Sequence, residues 1–219
     1  MSPSLPDAGF DRVAAFYDPL SRLVYGQALL HAQQHALAVG LPPGAPHLLV
    51  VGGGTGAVLL EILHLRPQAT IVYLEASLLM LDKARSLLHR QRPTAVQQVK
   101  FQLGTEKALT GQQVFDGLIT FFFLDLFDPL RLRQVVAQLN AVRRPAAPWL
   151  LADFAPPQRW WQRGLLSVMY GFFRLTTGIT GRNMPPISAE LARLGLRADQ
   201  QKRFFKGMVE ASVWIPWSA

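Results

Sequence analysis

The chain has 219 residues, half of them hydrophobic, a formal charge of +8 and no cysteine. That length suits one domain, or one domain with an appended lid, and it can bury a large core. Without cysteine, disulfides and thiolate metal sites are excluded, and a reducing compartment is compatible.

The N-terminus, Met1 to Asp7, has no basic segment and no long apolar core, so it does not read as a signal peptide. No run reaches the ~18 apolar residues of a spanning helix. Residues 10–40 read as helical: a short piece from Phe10 to Tyr17, a break at Asp18-Pro19, then an amphipathic segment from Leu20 to Val39. His31 and His35 lie four apart there, but no acidic partner is near in sequence, and no metal site is expected. Leu48 to Val51 reads as a buried strand, the Gly52–Gly56 cluster as a turn, and 57–65 as a helix. Strand 69–74 ends at Glu75, and helix 77–90 starts from Ser77 as N-cap. Val96 to Leu103 reads as a third strand and 114–122 as a fourth, the latter apolar enough to be covered on both faces. Helix 128–142 begins with Asp128 as N-cap and Pro129 in its first turn. Trp149 to Phe154 is a fifth strand. Gln158 to Thr177 reads as an aromatic-rich helix, 178–186 as a loop and 188–194 as a short helix. The β-prone runs 197–205 and 208–217 join at Lys206-Gly207 as a hairpin. Strands alternating with helices imply a mostly parallel sheet with helices on both faces.

The strand–glycine turn–helix at 48–63 is the opening of a nucleotide-binding α/β unit. Glycine lets the turn bend sharply and lets a ligand approach the backbone, and the helix N-terminus offers unpaired N–H groups. Gly52-x-Gly54-x-x-Ala57 fits the dinucleotide fingerprint. Gly52-x-Gly54-x-Gly56 equally fits the first motif of S-adenosylmethionine (SAM) methyltransferases. Glu75 can accept two hydrogen bonds from a ribose diol, which suits either cofactor. An NAD(P)-dependent oxidoreductase is the weaker alternative, because no Tyr-x-x-x-Lys pair is present.

The ordered set of motifs resembles the class I SAM-dependent methyltransferases, and within them the ubiquinone/menaquinone-biosynthesis C-methyltransferase group. It comprises Phe16-Tyr17-Asp18, Val51 to Gly56, Leu74-Glu75-Ala76-Ser77 with Met80, Phe115 to Leu118, Asp153-Phe154 and the terminal hairpin. The resemblance implies a Rossmann-like, mostly parallel seven-stranded sheet with a C-terminal antiparallel hairpin. It divides a single domain into a helical lid (10–40), a cofactor-binding core (47–155), substrate helices (156–195) and the hairpin (196–219). SAM would be held by Tyr17, Gly52, Gly53, Gly54, Thr55, Gly56, Glu75, Ala76, Met80 and Phe121, with Thr105 or Glu106 bonding the adenine amine. Two positions depart from the family. Val50 stands where an acid normally helps hold the methionine amino group, and Gly104-Thr105 replaces Gly-Asp after the third strand. These departures keep open a divergent, non-catalytic SAM-binding or interaction protein.

Methyl transfer from a sulfonium needs alignment above all, and a base only when the acceptor has a proton to lose. Asp125 and Asp153, after the fourth and at the end of the fifth strand, are the catalytic candidates, since ligands bind at the carboxyl ends of parallel strands. Phe121-Phe122-Phe123 offers an apolar wall for a small hydrophobic or lipid-like acceptor. From Gln158 onward nine basic residues face three acids. Trp160 and Trp161 beside Arg159 and Arg163 suit a lid, a homodimer face or an anionic membrane surface. Nucleic acid is not expected without a recognisable binding module. The expected location is cytoplasmic, with peripheral membrane contact as an extension of it.

Overall fold

Long apolar runs with little alternation, such as Leu48 to Val51 and Leu118 to Phe121, form strands buried on both faces. In the computed structural model, which describes residues 27–157, 159, 160, 162, 164 and 185–217, these runs build one seven-stranded sheet. In chain order the elements are α1 (Ala28–Gly40), β1 (His47–Val51), α2 (Ala57–Leu65), β2 (Thr70–Glu75), α3 (Leu78–Gln91), β3 (Val99–Leu103), β4 (Gly117–Phe121), α4 (Pro129–Ala141), β5 (Trp149–Phe154), α5 (Ile187–Arg193), β6 (Leu196–Phe204) and β7 (Val209–Pro216). The sheet order is β3-β2-β1-β4-β5-β7-β6. The first five strands pair in parallel, and β7 enters antiparallel between β5 and β6. This is the Rossmann-like sheet with an antiparallel terminal hairpin that the motif order implies.

Two apolar layers cover the sheet. One joins alternate residues Leu48, Val50, Ile71, Tyr73, Ile119, Phe121, Leu150 and Ala152 to α1, α2 and α3. The other joins Leu49, Val51, Val72, Leu74, Leu118, Trp149 and Leu151 to α4 and α5. Trp149 stands opposite Trp214 of β7, and its indole N–H donates to Thr120 Oγ1 at 2.9 Å, which settles the polar atom of a fully buried ring.

The strand boundaries differ from the sequence reading in two places. Residues 93–98 form a 3-10 turn, because Pro93 starts it and the Gln98 side chain donates to the carbonyls of Pro67 and Ala69, at 2.8 and 3.1 Å. The fourth strand starts at Gly117, not Val114. Val114 is exposed, Phe115 makes only an isolated bridge to Arg143, and the Asp116 carboxylate takes the His47 N–H at 2.8 Å. The hairpin turn spans Phe205–Gly207, with Phe205 and Lys206 both at positive φ.

No helix among the described residues is long and apolar enough to cross a membrane. The helix read over 158–177 lies almost wholly outside the described residues, as do the segment 10–26, Tyr17 and Trp161. Of the first turn, Trp160 is 85% exposed and Gln162 is buried, its amide donating to the Lys206 carbonyl at 2.9 Å.

Candidate active site

All the predicted site residues that the structure describes lie at the carboxyl edge of β1 to β5 or in the segments that follow it. Gly52 continues the β1 ladder by one bond, its N–H donating to Leu74 O at 2.9 Å. The chain then turns through left-handed glycines, Gly52, Gly54 and Gly56, and Gly56 becomes the N-cap of α2. At Gly54, φ is +63 and a Cβ would meet nothing within 4 Å, so that side of the loop is open to an approaching ligand.

Glu75 closes β2 beside this loop. Its Oε2 accepts the Gly54 N–H at 3.1 Å and its Oε1 accepts the Ser77 N–H at 3.0 Å. Ser77 caps α3 by accepting the Met80 N–H at 3.2 Å, which places Ala76 and Met80, both half-buried, at the same edge. Gly104 N–H donates to the Glu75 carbonyl at 2.9 Å, so the turn after β3 is tied to the end of β2.

Thr105 lies half-buried in that turn, with an extended backbone. Glu106 is buried and its carboxylate is paired with Arg131 of α4. Its charge is therefore already matched within the chain. Sequence reasoning missed Arg131, because nothing local marks one helix arginine among others. Its guanidinium also lies 5.9 Å from the Phe127 ring centroid, and Phe127 packs edge-on against Phe123 at 5.1 Å. Phe123 in turn covers Gly52, where a Cβ would come within 2.6 Å of its ring.

The three phenylalanines after Thr120 divide. Phe121 faces the α1–α3 core and is 7% exposed. Phe122 has φ +52, an outlier for a bulky residue, and packs on Phe154 with ring centroids 5.5 Å apart. Its turn brings 124–126 back over the end of β5.

That fold-back puts Asp125 on Asp153. Both are buried, and the two carboxyls hydrogen-bond each other. Asp153 Oδ1 accepts the Phe154 N–H at 2.9 Å, whereas Asp125 Oδ1 and Asp153 Oδ2 have no donor among the described residues. One proton shared by the pair would satisfy both oxygens. Burial pushes Asp125 up from 3.8 to about 6, and burial plus the Asp125 charge pushes Asp153 well above the usual carboxylate range.

Residues 49–148 match the family model described as a methyltransferase domain. No curated protein matches the sequence. Among solved structures, the chain is 18% identical to the mitomycin 7-O-methyltransferase MmcR, with a TM-score of 0.70, covering 95% of this chain and 60% of that one. It is 18% identical to an O-methyltransferase family protein from Burkholderia thailandensis, TM-score 0.68, over 98% of this chain and 60% of that one. It is 19% identical to CalO1, a methyltransferase in calicheamicin biosynthesis solved with S-adenosylhomocysteine (SAH) bound, TM-score 0.63, over 98% of this chain and 61% of that one. The chain thus spans about three fifths of the length of these structures. Identities this low establish the shared fold.

Proposed function

We propose that the chain is a SAM-dependent methyltransferase that methylates a small, largely apolar acceptor with a proton to lose. The observation that carries this reading is the Asp125–Asp153 pair, set on the same strand-end edge as the Gly52–Gly56 loop and Glu75. SAM supplies a methyl group on a sulfonium sulfur, whose C–S bond breaks as the acceptor's electron pair forms the new bond, leaving SAH. Gly54 and Glu75 hold the cofactor, with Ala76, Met80 and Thr105 around it. The ionised carboxylate of the pair takes the proton from the acceptor atom and passes it to water when the product leaves. Burial raises the pKa of both carboxyls toward the neutral range, where a general base works best. Phe122 and Phe123 support an apolar acceptor body.

A phenol O–H, an aromatic N–H and an activated ring C–H all meet this requirement. The resemblance to quinone C-methyltransferases favours ring carbon, and the O-methyltransferase neighbours favour oxygen. The test is calorimetric titration with SAH and with NADH, then mass spectrometry of a panel of phenols, hydroxyquinones and aromatic amines incubated with SAM. SAH binding with methylation of a protic member supports the reading. Binding of NADH but not SAH overturns it. SAH binding with no turnover on any protic acceptor returns the chain to the non-catalytic alternative.

Trp160, exposed beside Arg159, supports a second property: contact of the 158–177 segment with an anionic lipid surface. Co-sedimentation with phosphatidylserine vesicles at low and high salt tests it. Gel filtration of the lipid-free protein reports the competing use of that face in a dimer.

A further inference from the structure

Tyr73 and Glu75 lie two apart on β2 and so leave the same face of the strand. Both grip one residue. Glu75 Oε2 accepts the Gly54 N–H at 3.1 Å, and the Tyr73 hydroxyl donates to the Gly54 carbonyl at 2.8 Å. The Gly56 N–H acts on the same phenol oxygen, drawing its pKa down while burial and Glu75 draw it up. The Tyr73 ring also forms the floor under Gly53, where a Cβ would come within 2.5 Å of it. Gly53, Gly54 and Gly56 are therefore set by two side chains of a single strand.

This arrangement bears on the missing acid of β1. Tyr73 is the direct register partner of Val50, and both belong to the same apolar layer. Val50 is 1% exposed and offers the loop nothing polar. The hydroxyl beside it is what reaches the loop from beneath. A phenylalanine would fill the same volume, so packing alone does not account for a phenol here. A fully buried hydroxyl needs a partner, and the partner in this structure is the glycine loop.

A loop with glycine at 52, 53, 54 and 56 has more conformations to lose on binding than one built of residues with side chains. Holding it in one of them beforehand removes that cost from cofactor binding. We propose that Tyr73 is a positioning residue for SAM: its hydroxyl fixes the Gly54 peptide, and with it the cofactor loop, from beneath. The proposal rests on SAM binding at this loop.

Tyr73→Phe is the test, because it keeps the ring under Gly53 and removes only the hydroxyl. Two readouts are taken on folded protein: SAH affinity by calorimetry, and amide hydrogen exchange of 52–56 without and with SAH. The variant is expected to bind SAH about 3- to 10-fold more weakly, the loss of one net hydrogen bond. Its loop amides exchange faster than wild type in the free protein, and saturating SAH restores their protection. Strand amides of β1 and β4 stay unchanged. Should the substitution lower Tm but leave SAH affinity within twofold and loop exchange unaltered, Tyr73 is core packing and the proposal is overturned. If the wild type itself does not bind SAH, it is the SAM reading that fails, and the exchange data still report whether Tyr73 holds the loop.

Discussion

Replacing Asp125 by asparagine tests the carboxyl pair without needing to know the acceptor. Asparagine has nearly the same shape, carries no charge and can donate to Asp153. In the wild type, burial raises Asp125 from 3.8 to about 6, so the folded chain holds that proton more tightly than the unfolded chain does. Folding then takes up a proton between these values, and stability falls as pH rises through that window. A rise of that size corresponds to about 3 kcal/mol lost by about pH 7. Asp125→Asn removes one of the pair's two protonation steps. Relative to wild type it should therefore gain up to about 3 kcal/mol above pH ~6.5, and the gain should vanish below pH ~4. For a chain of this size that is roughly 6–12 °C in Tm. Urea unfolding of both proteins at several pH values measures the difference directly. Asp153→Asn should show the same pH-dependent gain, since the proton belongs to the pair. A stability difference that stays flat from acid to neutral pH would refute the shared proton, and with it the poised base. With a protic acceptor in hand, the wild-type rate should rise with pH through about 6, and Asp125→Asn should lose about 100-fold or more in rate while SAH affinity stays put.

Glu75→Ala should weaken SAH binding by ~1.5–3 kcal/mol, through both the lost ribose contact and the released Gly54 N–H; calorimetry reads it, and an unchanged Kd would remove Glu75 from the site. Arg131→Ala leaves the Glu106 carboxylate buried without its cation and should cost about 3 kcal/mol in urea unfolding at neutral pH, whereas Arg131→Ala with Glu106→Gln should recover part of it. Trp160→Ala should reduce vesicle co-sedimentation and make the remainder more salt-sensitive, because the ring contributes apolar area that salt does not screen. No vesicle binding by the wild type at any salt would leave the 158–177 segment as a lid or a dimer face.

Local pattern carried the fold. A buried β-run, a glycine cluster and an amphipathic run specify strand, turn and helix from neighbours in sequence alone, and Ser77 and Asp128 cap the helices they were expected to cap. Gly54 and Glu75 were also legible, because the turn and the acid that ends the next strand belong to one short unit. What lies across the sheet was not. Side-chain facing within Phe121-Phe122-Phe123 depended on a positive φ at Phe122 that no bulky residue announces. The Glu106–Arg131 pair joins residues 25 apart on different elements. Asp125 and Asp153 were each readable as strand-end acids, but they meet only because β4 and β5 are neighbours and the 124–126 turn folds back over β5. Tyr73 read as one more apolar residue in a strand. Parallel pairing with β1 put its hydroxyl under Gly54, and that register is a property of the tertiary structure. The sequence determines which residues are strand, turn and helix, since those preferences are local. Only the packed sheet decides which polar atoms are left without water and must find each other.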